Sequence, residues 1–211
     1  MNALIKEIEK LKKDEGIREK IKERMKEFEK IGKSNSKDIF SELCFCILTA
    51  NFNAERGIKI QNKLKNDFLR ANRKILSEKL RKLGYRYPNT RAKYIVEARK
   101  KLKEIVKVVK SKNLSDFKKR EWLVKNVKGI GYKEASHFLR NTGHKDLAII
   151  DFHILNLLAK SRIINKKPKN LSKKVYLEIE QKLRKLAKRL KVSLGELDLY
   201  MWYLETSKIL K

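Results

Sequence analysis

The sequence predicts an all-α protein, and three observations lead to that fold class. Apolar residues recur with a period close to 3.6 along the whole chain, which is the spacing of one helix face. No segment sustains the alternation of apolar and polar residues that a half-buried strand requires. The 211 residues include only 2 prolines and 8 glycines, so few positions interrupt a helix. The chain is long enough for one large domain or two small ones.

The predicted helices begin near residues that can act as N-caps. A Ser, Thr or Asp side chain at the N-cap accepts a hydrogen bond from a free amide of the first turn. The candidate N-caps are Ser36, Thr90, Ser115, Asp151, Ser172 and Ser193. In chain order, the predicted helices span 2–13, 17–31, 36–49, 54–67, 71–82, 90–111, 114–126, 132–141, 152–161, 171–190 and 193–208.

Three interruptions separate these helices most clearly. They are residues 84–88 (GYRYP), residues 143–144 (GH) and residues 165–170, which surround Pro168. Glycine and proline are the strongest local signals for a turn or a loop, because each has unusual backbone freedom or restriction. No linker, internal repeat or low-complexity tract divides the chain.

The charge of the chain indicates a polyanionic partner. There are 55 Lys and Arg against 25 Asp and Glu, a formal net charge of +30. So large an excess of positive charge raises the local concentration of nucleic acid, and this class of partner is predicted first. A Lys- and Glu-rich surface typical of thermophilic prokaryotes is the alternative explanation, although that composition usually keeps the two signs closer to balance.

The composition argues against two other classes of protein. No apolar run approaches the roughly 18 to 20 residues that a membrane span needs, and the N-terminus is a charged amphipathic pattern without the apolar core of a signal peptide. We therefore expect the chain in the cytosol or on the nucleoid. Cys44 and Cys46 lie within the apolar run LCFCILTA and are expected to be buried thiols. Two cysteines are too few for an iron–sulfur cluster, which takes four.

The segment NVKGIGYKEASHFLR, residues 126–140, carries the most specific chemistry. Gly129 and Gly131 form a two-glycine hairpin between two helical patterns, where the backbone can approach another surface closely. Amides at the start of the following helix can point at an anion such as a phosphate. Lys133 lies two residues beyond the hairpin, and Asp151 ends the apolar run that follows. The segment thus places an amine and a carboxylate beside a turn that can bind phosphate.

These residues resemble the helix-hairpin-helix DNA glycosylase superfamily, and within it the archaeal-type (type 2) 8-oxoguanine DNA glycosylase/AP lyases. The resemblance rests on KGIGYKEASHFLRN, LAIID-x-H, ELCFCILTAN and DLY-x-WY, in the family's order, and covers roughly residues 36–211. The hairpin with its lysine and aspartate is specific, whereas a bare G-x-G would be weak evidence. The resemblance implies double-stranded DNA containing 8-oxoguanine as the substrate.

A two-lobed arrangement around a DNA-binding cleft is expected. Residues 36–140 carry the most apolar helices and contain the helix-hairpin-helix motif at about 114–141. Residues 1–35 and 152–211 are predicted to form the second helical lobe, with Asp151 at the junction. A cleft between two helical lobes is a natural ligand site. The compact all-helical composition further suggests a monomer.

The resemblance implies that Lys133 is the nucleophile and Asp151 the second catalytic residue. The uncharged amine of Lys133 would attack C1′ of the damaged nucleotide, expel the base and form an imine, after which elimination of the 3′ phosphate nicks the strand. Asp151 would stabilise positive charge on the sugar or relay a proton. Asp151 also suits a plain helix N-cap, and both roles can hold together.

The C-terminal stretch GELDLYMWYLETSKILK supplies the candidates for recognising the base. 8-Oxoguanine carries a hydrogen-bond donor at N7, where guanine has an acceptor, so discrimination needs an acceptor aimed at that position. By resemblance, Asp198 bonds the base edge, Trp202 stacks on its face, and the last residue, Lys211, distinguishes the two bases. A core position for Trp202 and a disordered tail for Lys211 are the alternatives.

Other residues are expected to contact DNA more generally. Asn51-Phe52-Asn53 has the composition of a wedge that fills the space left by a flipped base, with a helix C-cap and turn as the equal alternative. The resemblance supports Asn51 most. The DNA-binding residues expected are Gly129, Gly131, Lys128, Asn51 and Arg56, and Lys59, Arg86, Arg91 and Lys93 are further candidate phosphate contacts.

Three expectations concern the remaining polar residues and metals. Phe152 replaces the basic residue that the family usually carries between Asp and His, which puts a phosphate contact from this position in doubt. His137 and His153 are expected to serve packing rather than catalysis. No spacing of His, Cys and carboxylates indicates zinc, and no cofactor is expected to be required. Family members often hold a monovalent cation on the hairpin carbonyls, so a cation there stays possible.

Two rival functions remain open from the sequence. An endonuclease III-like enzyme for oxidised pyrimidines commonly carries a C-terminal four-cysteine cluster, which this chain lacks. A glycosylase for another oxidised base is a closer variant of the same idea. A non-catalytic helix-hairpin-helix module would need the two glycines but has no reason to place Lys133 and Asp151 beside them.

Overall fold

The computed structural model describes residues 2–50 and 52–211, and within them the chain is all-helical, as the sequence predicts. No helix in this part of the chain is both long and apolar enough to cross a membrane. The helices are α1 (Asn2–Lys13), α2 (Glu15–Lys33), α3 (Ser36–Thr49), α4 (Ala54–Leu64), α5 (Asp67–Arg70), α6 (Arg73–Lys82), α7 (Pro88–Lys100), α8 (Leu102–Lys110), α9 (Asp116–Asn126), α10 (Tyr132–Asn141), α11 (Phe152–Lys160), α12 (Lys173–Leu190) and α13 (Leu194–Thr206).

The predicted helices are mostly confirmed, but two are divided. The helix predicted at 90–111 is α7 followed by α8, because the backbone of Lys101 leaves helical geometry at φ −100° and ψ 12°. The helix predicted at 54–67 ends at Leu64, and the short α5 follows it. Both members of each pair bury apolar residues, so an apolar period alone does not reveal the break between them.

Four of the six predicted N-caps are confirmed, and two are wrong. The side chains of Ser115, Asp151, Ser172 and Ser193 each accept a hydrogen bond from an amide of the helix that they begin. Ser36 is the first residue of α3, and the N-cap of this helix is Asn35, whose side-chain oxygen accepts from two first-turn amides. Thr90 lies inside α7, because Pro88 already provides the fixed φ of a first helical position.

The buried apolar residues fall into two clusters. The first is built from α3 to α10 and runs in sequence from Ile39 to Leu147. The second combines the N-terminal helices α1 and α2 with residues from Ala148 to Met201. Whether the chain divides at the predicted lobe boundaries stays a prediction. α10 packs in the first cluster and α11 in the second. The segment that joins these two helices passes from one cluster to the other near residues 147–151.

A buried ion pair joins α9 to α12 across the two clusters. The guanidinium of Arg120 donates to both oxygens of Glu180 at 2.7 and 2.8 Å, and the two side chains are 1% and 0% exposed. Arg120 also donates to the hydroxyl of Ser136 on α10, and Glu180 accepts from the backbone amide of Ala148 at 2.9 Å. The hydroxyl of Tyr176 donates to the carbonyl of Ala148 at 2.6 Å. This network fixes α10 and the segment before α11 to the same helix, α12.

Replacing Glu180 with glutamine is expected to destabilise the protein strongly. The change leaves the Arg120 charge buried without its partner, which costs about 3 to 5 kcal/mol of unfolding free energy. Urea denaturation followed by circular dichroism measures the loss. The matched control is Glu121→Gln, which breaks the exposed Glu121–Lys173 pair of 2.9 Å and should cost at most about 1 kcal/mol. Equal losses in the two variants would contradict the role given to the buried pair.

Candidate active site

A cavity of about 520 Å³ lies where the two clusters meet. Its walls come from the end of α3, the first two turns of α10, the start of α11, the middle of α13 and the C-terminal tail. The lining includes most of the residues that the sequence singles out for chemistry and base recognition: Lys133, Asp151, Asp198, Trp202 and Lys211. Lys133 and Lys211 lie 78 positions apart in the chain, yet they line the same cavity.

The hairpin holds the start of α10 against the first cluster. Gly129 has φ +81°, and a Cβ at that position would come within 2.3 Å of the ring of Tyr94, so only glycine fits. The close approach that the sequence anticipates at Gly129 is thus to Tyr94 of the same chain. Gly131 is the N-cap of α10, and its amide donates to the carboxylate of Glu134 at 3.2 Å. The predicted DNA-binding role of the two glycines stays a prediction.

Lys133 projects from the first turn of α10 into the cavity. Its side chain is 21% exposed, so the aliphatic stem is largely covered while the amine reaches the open space. The nitrogen lies 3.9 Å from an oxygen of Glu134, which is an ion pair but too long for a hydrogen bond. No hydrogen bond to a carboxylate is therefore formed by the amine within the described residues.

Asp151 forms the opposite wall as the N-cap of α11. One carboxylate oxygen accepts from the amide of Ile154 at 2.9 Å, which fixes the side chain. The residue is partly exposed and lines the same cavity as Lys133. The cap uses one oxygen, Oδ1, and no further partner of Oδ2 is recorded in the part of the chain that the structure describes. A carboxylate held in this way can face positive charge that develops on a bound sugar.

Asp198 on α13 lies deeper in the cavity wall, paired with Arg140. The guanidinium of Arg140 donates to the Asp198 carboxylate at 3.0 Å, and both side chains are nearly buried. The pKa of Asp198 is raised to about 6, mainly by burial and also by the negative charge of Asp151, against the positive charges of Arg140 and Lys133. Burial likewise lowers the pKa of Arg140. The two carboxylates of the site are therefore electrostatically coupled.

Trp202 forms an aromatic wall together with His153. Their ring centroids are 4.9 Å apart at an interplanar angle of 75°, an edge-to-face contact. The indole nitrogen of Trp202 is buried without a hydrogen-bond partner among the described residues. Trp202 is partly exposed and lines the cavity, so a face of the indole is available to a planar ligand. His153 packs against it, as expected for a structural histidine.

The side chain of Lys211 is held by other residues, and its ammonium is already bonded and not a free cation. The amine donates to Glu42 at 2.9 Å and to Gln61 at 2.5 Å, and it lies 4.6 Å from the centre of the Phe45 ring. Its side chain is only 16% exposed. Glu42 also accepts from Asn141 of α10 at 2.7 Å. The last residue of the chain is therefore an ordered part of the cavity wall.

His137 lies one helical turn beyond Lys133 and lines the same cavity. It is 7% exposed, and its ring contacts Phe45 edge to face at 5.6 Å. Burial lowers the pKa of His137 well below its usual value, and the charges of Arg140 and Lys133 lower it further. Neither ring nitrogen meets hydrogen-bond geometry with a described residue, although the backbone of Lys211 lies close enough to oppose the lowering. His137 is therefore a neutral part of the cavity floor.

The charged residues expected to contact DNA phosphates do not lie on the floor of this cavity. Lys128 is exposed and lies 3.5 Å from Glu97, and Arg56 is exposed with one bond to the carbonyl of Gly84 at 3.0 Å. Both keep surface area for a phosphate. Arg91 is different, because its guanidinium donates to the carbonyl of Ala50 at 3.1 Å and is half-buried. It supports the loop after α3.

Two further expectations concern the mouth of the cavity. Asn51 lies outside the described residues, so its wedge role stays a prediction. Phe52 packs on Tyr85 at 4.4 Å between ring centroids, with Arg56 over the other side. Phe152 is two-thirds exposed beside Asp151, with the ammonium of Lys167 5.1 Å from its ring centre. An exposed aromatic side chain therefore stands where a basic residue was expected from the resemblance.

Cys44 and Cys46 are free, fully buried thiols in α3, which confirms their expected place in the core. Burial raises the pKa of both well above the usual value. Within residues 2–50 and 52–211, no three His, Cys, Asp or Glu side chains come together as a metal site.

Sequence reasoning missed three residues that build this site: Glu42, Gln61 and Arg140. Arg140 lies within the motif itself, and its spacing from Lys133 on the helix was a usable signal. Glu42 is a lone carboxylate inside a run of apolar residues, which also marks a buried polar contact. No local signal identifies Gln61.

Comparisons with known proteins agree with this geometry. Residues 21–192 match the family model described as 8-oxoguanine DNA glycosylase, helix-hairpin-helix type. The chain is 50% identical over 210 residues to the 8-oxoguanine DNA glycosylase/AP lyase of Methanocaldococcus jannaschii, and the match covers 99% of each chain. It resembles the crystal structure of the glycosylase/lyase from that organism in complex with a 15mer DNA containing 8-oxoguanine, with 49% identity, a TM-score of 0.94 and coverage of 99% and 100%. The 8-oxoguanine DNA glycosylase of Thermotoga maritima is similar too, at 45% identity, a TM-score of 0.93 and coverage of 100% and 99%.

Proposed function

The chain belongs to the helix-hairpin-helix family of 8-oxoguanine DNA glycosylases, and we propose that Lys133 and Asp151 carry out its chemistry in the cavity between the two clusters. Its activity is that of a bifunctional DNA glycosylase/AP lyase on double-stranded DNA containing 8-oxoguanine. The observation that carries the residue assignment is the meeting of Lys133, Asp151 and Trp202 in one cavity.

The glycosylase step begins when the damaged nucleotide leaves the base stack and enters the cavity. The deprotonated amine of Lys133 attacks C1′, the bond from C1′ to N9 breaks, and the base leaves with the electron pair and takes up a proton. Positive charge develops on the sugar as the bond breaks. Asp151 stabilises that charge, because its carboxylate is held by the α11 cap and costs little reorganisation.

The lyase step follows from the covalent bond to Lys133. Opening of the sugar ring gives an imine between the amine and C1′, which acidifies the protons on C2′. Loss of a C2′ proton and departure of the 3′ phosphate then cleave the strand by β-elimination. Hydrolysis of the remaining imine returns the free amine of Lys133.

We propose that Lys211 recognises the base through a main-chain oxygen and not through its ammonium. An ammonium can only donate, and 8-oxoguanine also presents a donor at N7, so the ammonium cannot read that position. The ammonium is besides already bonded to Glu42 and Gln61. The main-chain oxygen of the same residue is an acceptor, and guanine, whose N7 is itself an acceptor, would leave it unpaired.

Lys211→Met tests the assignment of Lys211 to base recognition. The change removes the ammonium that bonds to Glu42 and Gln61 and so releases the residue. The single-turnover rate of 8-oxoguanine excision should fall about 10- to 150-fold, which is the equivalent of one charged hydrogen bond. Cleavage of a pre-formed abasic site, which contains no base, should fall less. Equal losses on the two substrates would contradict recognition of the base by Lys211.

The basic surface is proposed to hold the DNA around this site, at the nucleoid. The net charge of +30 and the exposed Lys128 and Arg56 support a phosphate-binding face. A monovalent cation on the hairpin carbonyls and a monomeric state stay predictions.

A further inference from the structure

Lys211 is held by a buried group of side chains that contains one carboxylate. This group, here called the receptor, consists of Glu42, Gln61 and Asn141. Glu42 lies in the middle of α3 and is 2% exposed, although most of the residues around it on that helix are apolar. One of its oxygens accepts from the ammonium of Lys211 at 2.9 Å and from Gln61 at 3.1 Å. The other accepts from Asn141 at 2.7 Å.

The charge balance of this receptor depends on the last residue. A buried carboxylate is costly unless a cation and hydrogen bonds compensate it. Gln61 and Asn141 supply neutral donors, and the cation bonded to Glu42 is the ammonium of Lys211. Removing Lys211 would leave Glu42 as an uncompensated buried charge. The receptor therefore draws the tail of the chain into one position.

The same carboxylate also contacts the helix of the nucleophile. Asn141 ends α10, which begins one residue before Lys133. Glu42 thus links α10 on one oxygen to Lys211 on the other, and Phe45, one turn further along α3, packs under both the Lys211 ammonium and His137. The distance between the end of the chain and α10 is set through α3.

We propose that Glu42 is a positioning residue for base selectivity: it fixes Lys211 relative to Lys133. Glu42 itself does not contact the base. The inference rests on the proposed function, in which Lys211 recognises the flipped base. It goes beyond the proposed function because it gives a role in base selectivity to a residue buried within the first cluster.

The test is a double-mutant cycle of Glu42→Gln and Lys211→Met, read out as the ratio of single-turnover excision rates for 8-oxoguanine and guanine. Glu42→Gln should lower this ratio roughly tenfold or more, since the ammonium loses its charged partner. In the Lys211→Met background, the same change should have no further effect on the ratio. A general defect of the fold would slow both substrates alike, so a fall in this ratio reports selectivity, and cleavage of a pre-formed abasic site should fall less than 8-oxoguanine excision.

Two further variants keep the test decisive. Gln61→Met removes one acceptor of the ammonium and one donor to Glu42 but leaves the charge pair, so it provides a milder loss if Glu42→Gln fails to fold. Glu29→Gln is the matched control, because Glu29 pairs with Lys145 at 2.5 Å on the surface and neither residue lines the cavity. An exposed pair contributes little, so the ratio should stay unchanged in this control.

The outcomes separate the inference from the proposed function. Additive losses from Glu42→Gln and Lys211→Met, or an equal loss of abasic-site cleavage, would overturn the positioning role while leaving the enzyme assignment intact. A wild-type protein that does not excise 8-oxoguanine would overturn the proposed function instead.

Discussion

Lys133→Gln is expected to abolish both base excision and strand cleavage. Glutamine keeps a polar side chain that is only one atom shorter, but its amide cannot form an imine, so neither step has a nucleophile. The expected loss in the single-turnover rate is roughly 10³-fold or more, as when other enzymes lose their nucleophile. The measurement uses a duplex with one 8-oxoguanine, and it scores base release and strand nicking separately.

The control for this variant is Lys174→Gln, an exposed lysine on α12 that does not line the cavity. It carries the same change in charge and should retain the wild-type rate. DNA affinity should change equally little in both variants, because one charge in a net +30 contributes modestly to phosphate binding. Substantial base release by Lys133→Gln would show that water or another residue attacks C1′.

Asp151→Asn is expected to slow base excision by about 10² to 10³-fold, which is the usual effect of removing a fixed group that stabilises transition-state charge. Asparagine is as good an N-cap as aspartate, so α11 should remain capped while the charge is lost. Excision rates and thermal unfolding are measured on the same samples. The rate should fall, and the melting temperature should change little.

Asp151→Ser and Asp151→Ala extend this experiment. Serine also caps a helix, whereas alanine removes the cap and is expected to cost about 1 kcal/mol of stability. If the carboxylate acts only as a cap, Asn and Ser will keep the activity and Ala alone will lose it. If it acts on the sugar, all three variants will be slow, and only Ala will also be less stable.

The parts of the site that the sequence predicts are local in the chain. The hairpin, Lys133 and the α11 cap at Asp151 are encoded by short segments whose geometry depends on neighbouring residues. Residue 129 must be glycine for a second reason that the sequence does not reveal, because Tyr94 of α7 occupies the space that a Cβ would need. The helical periodicity likewise predicts most elements, but the break at Lys101 depends on how α7 and α8 pack.

The parts that the sequence does not predict depend on contacts between distant segments. The bonds from Glu42 to Asn141 and Lys211 span 99 and 169 positions, and no local pattern specifies them. The pairing of Asp198 with Arg140 spans 58 positions. The family resemblance points to Lys211 as a residue that recognises the base, whereas the structure adds that its ammonium is already bonded to Glu42 and Gln61.

Trapping of the covalent intermediate tests the central claim most directly. The wild-type protein is mixed with a duplex that carries one 8-oxoguanine, borohydride reduces the imine, and mass spectrometry locates the modified residue after proteolysis. We predict a single adduct, on the peptide that contains Lys133. This adduct should form together with release of the oxidised base. An adduct on another lysine, or base release without any adduct, would contradict it.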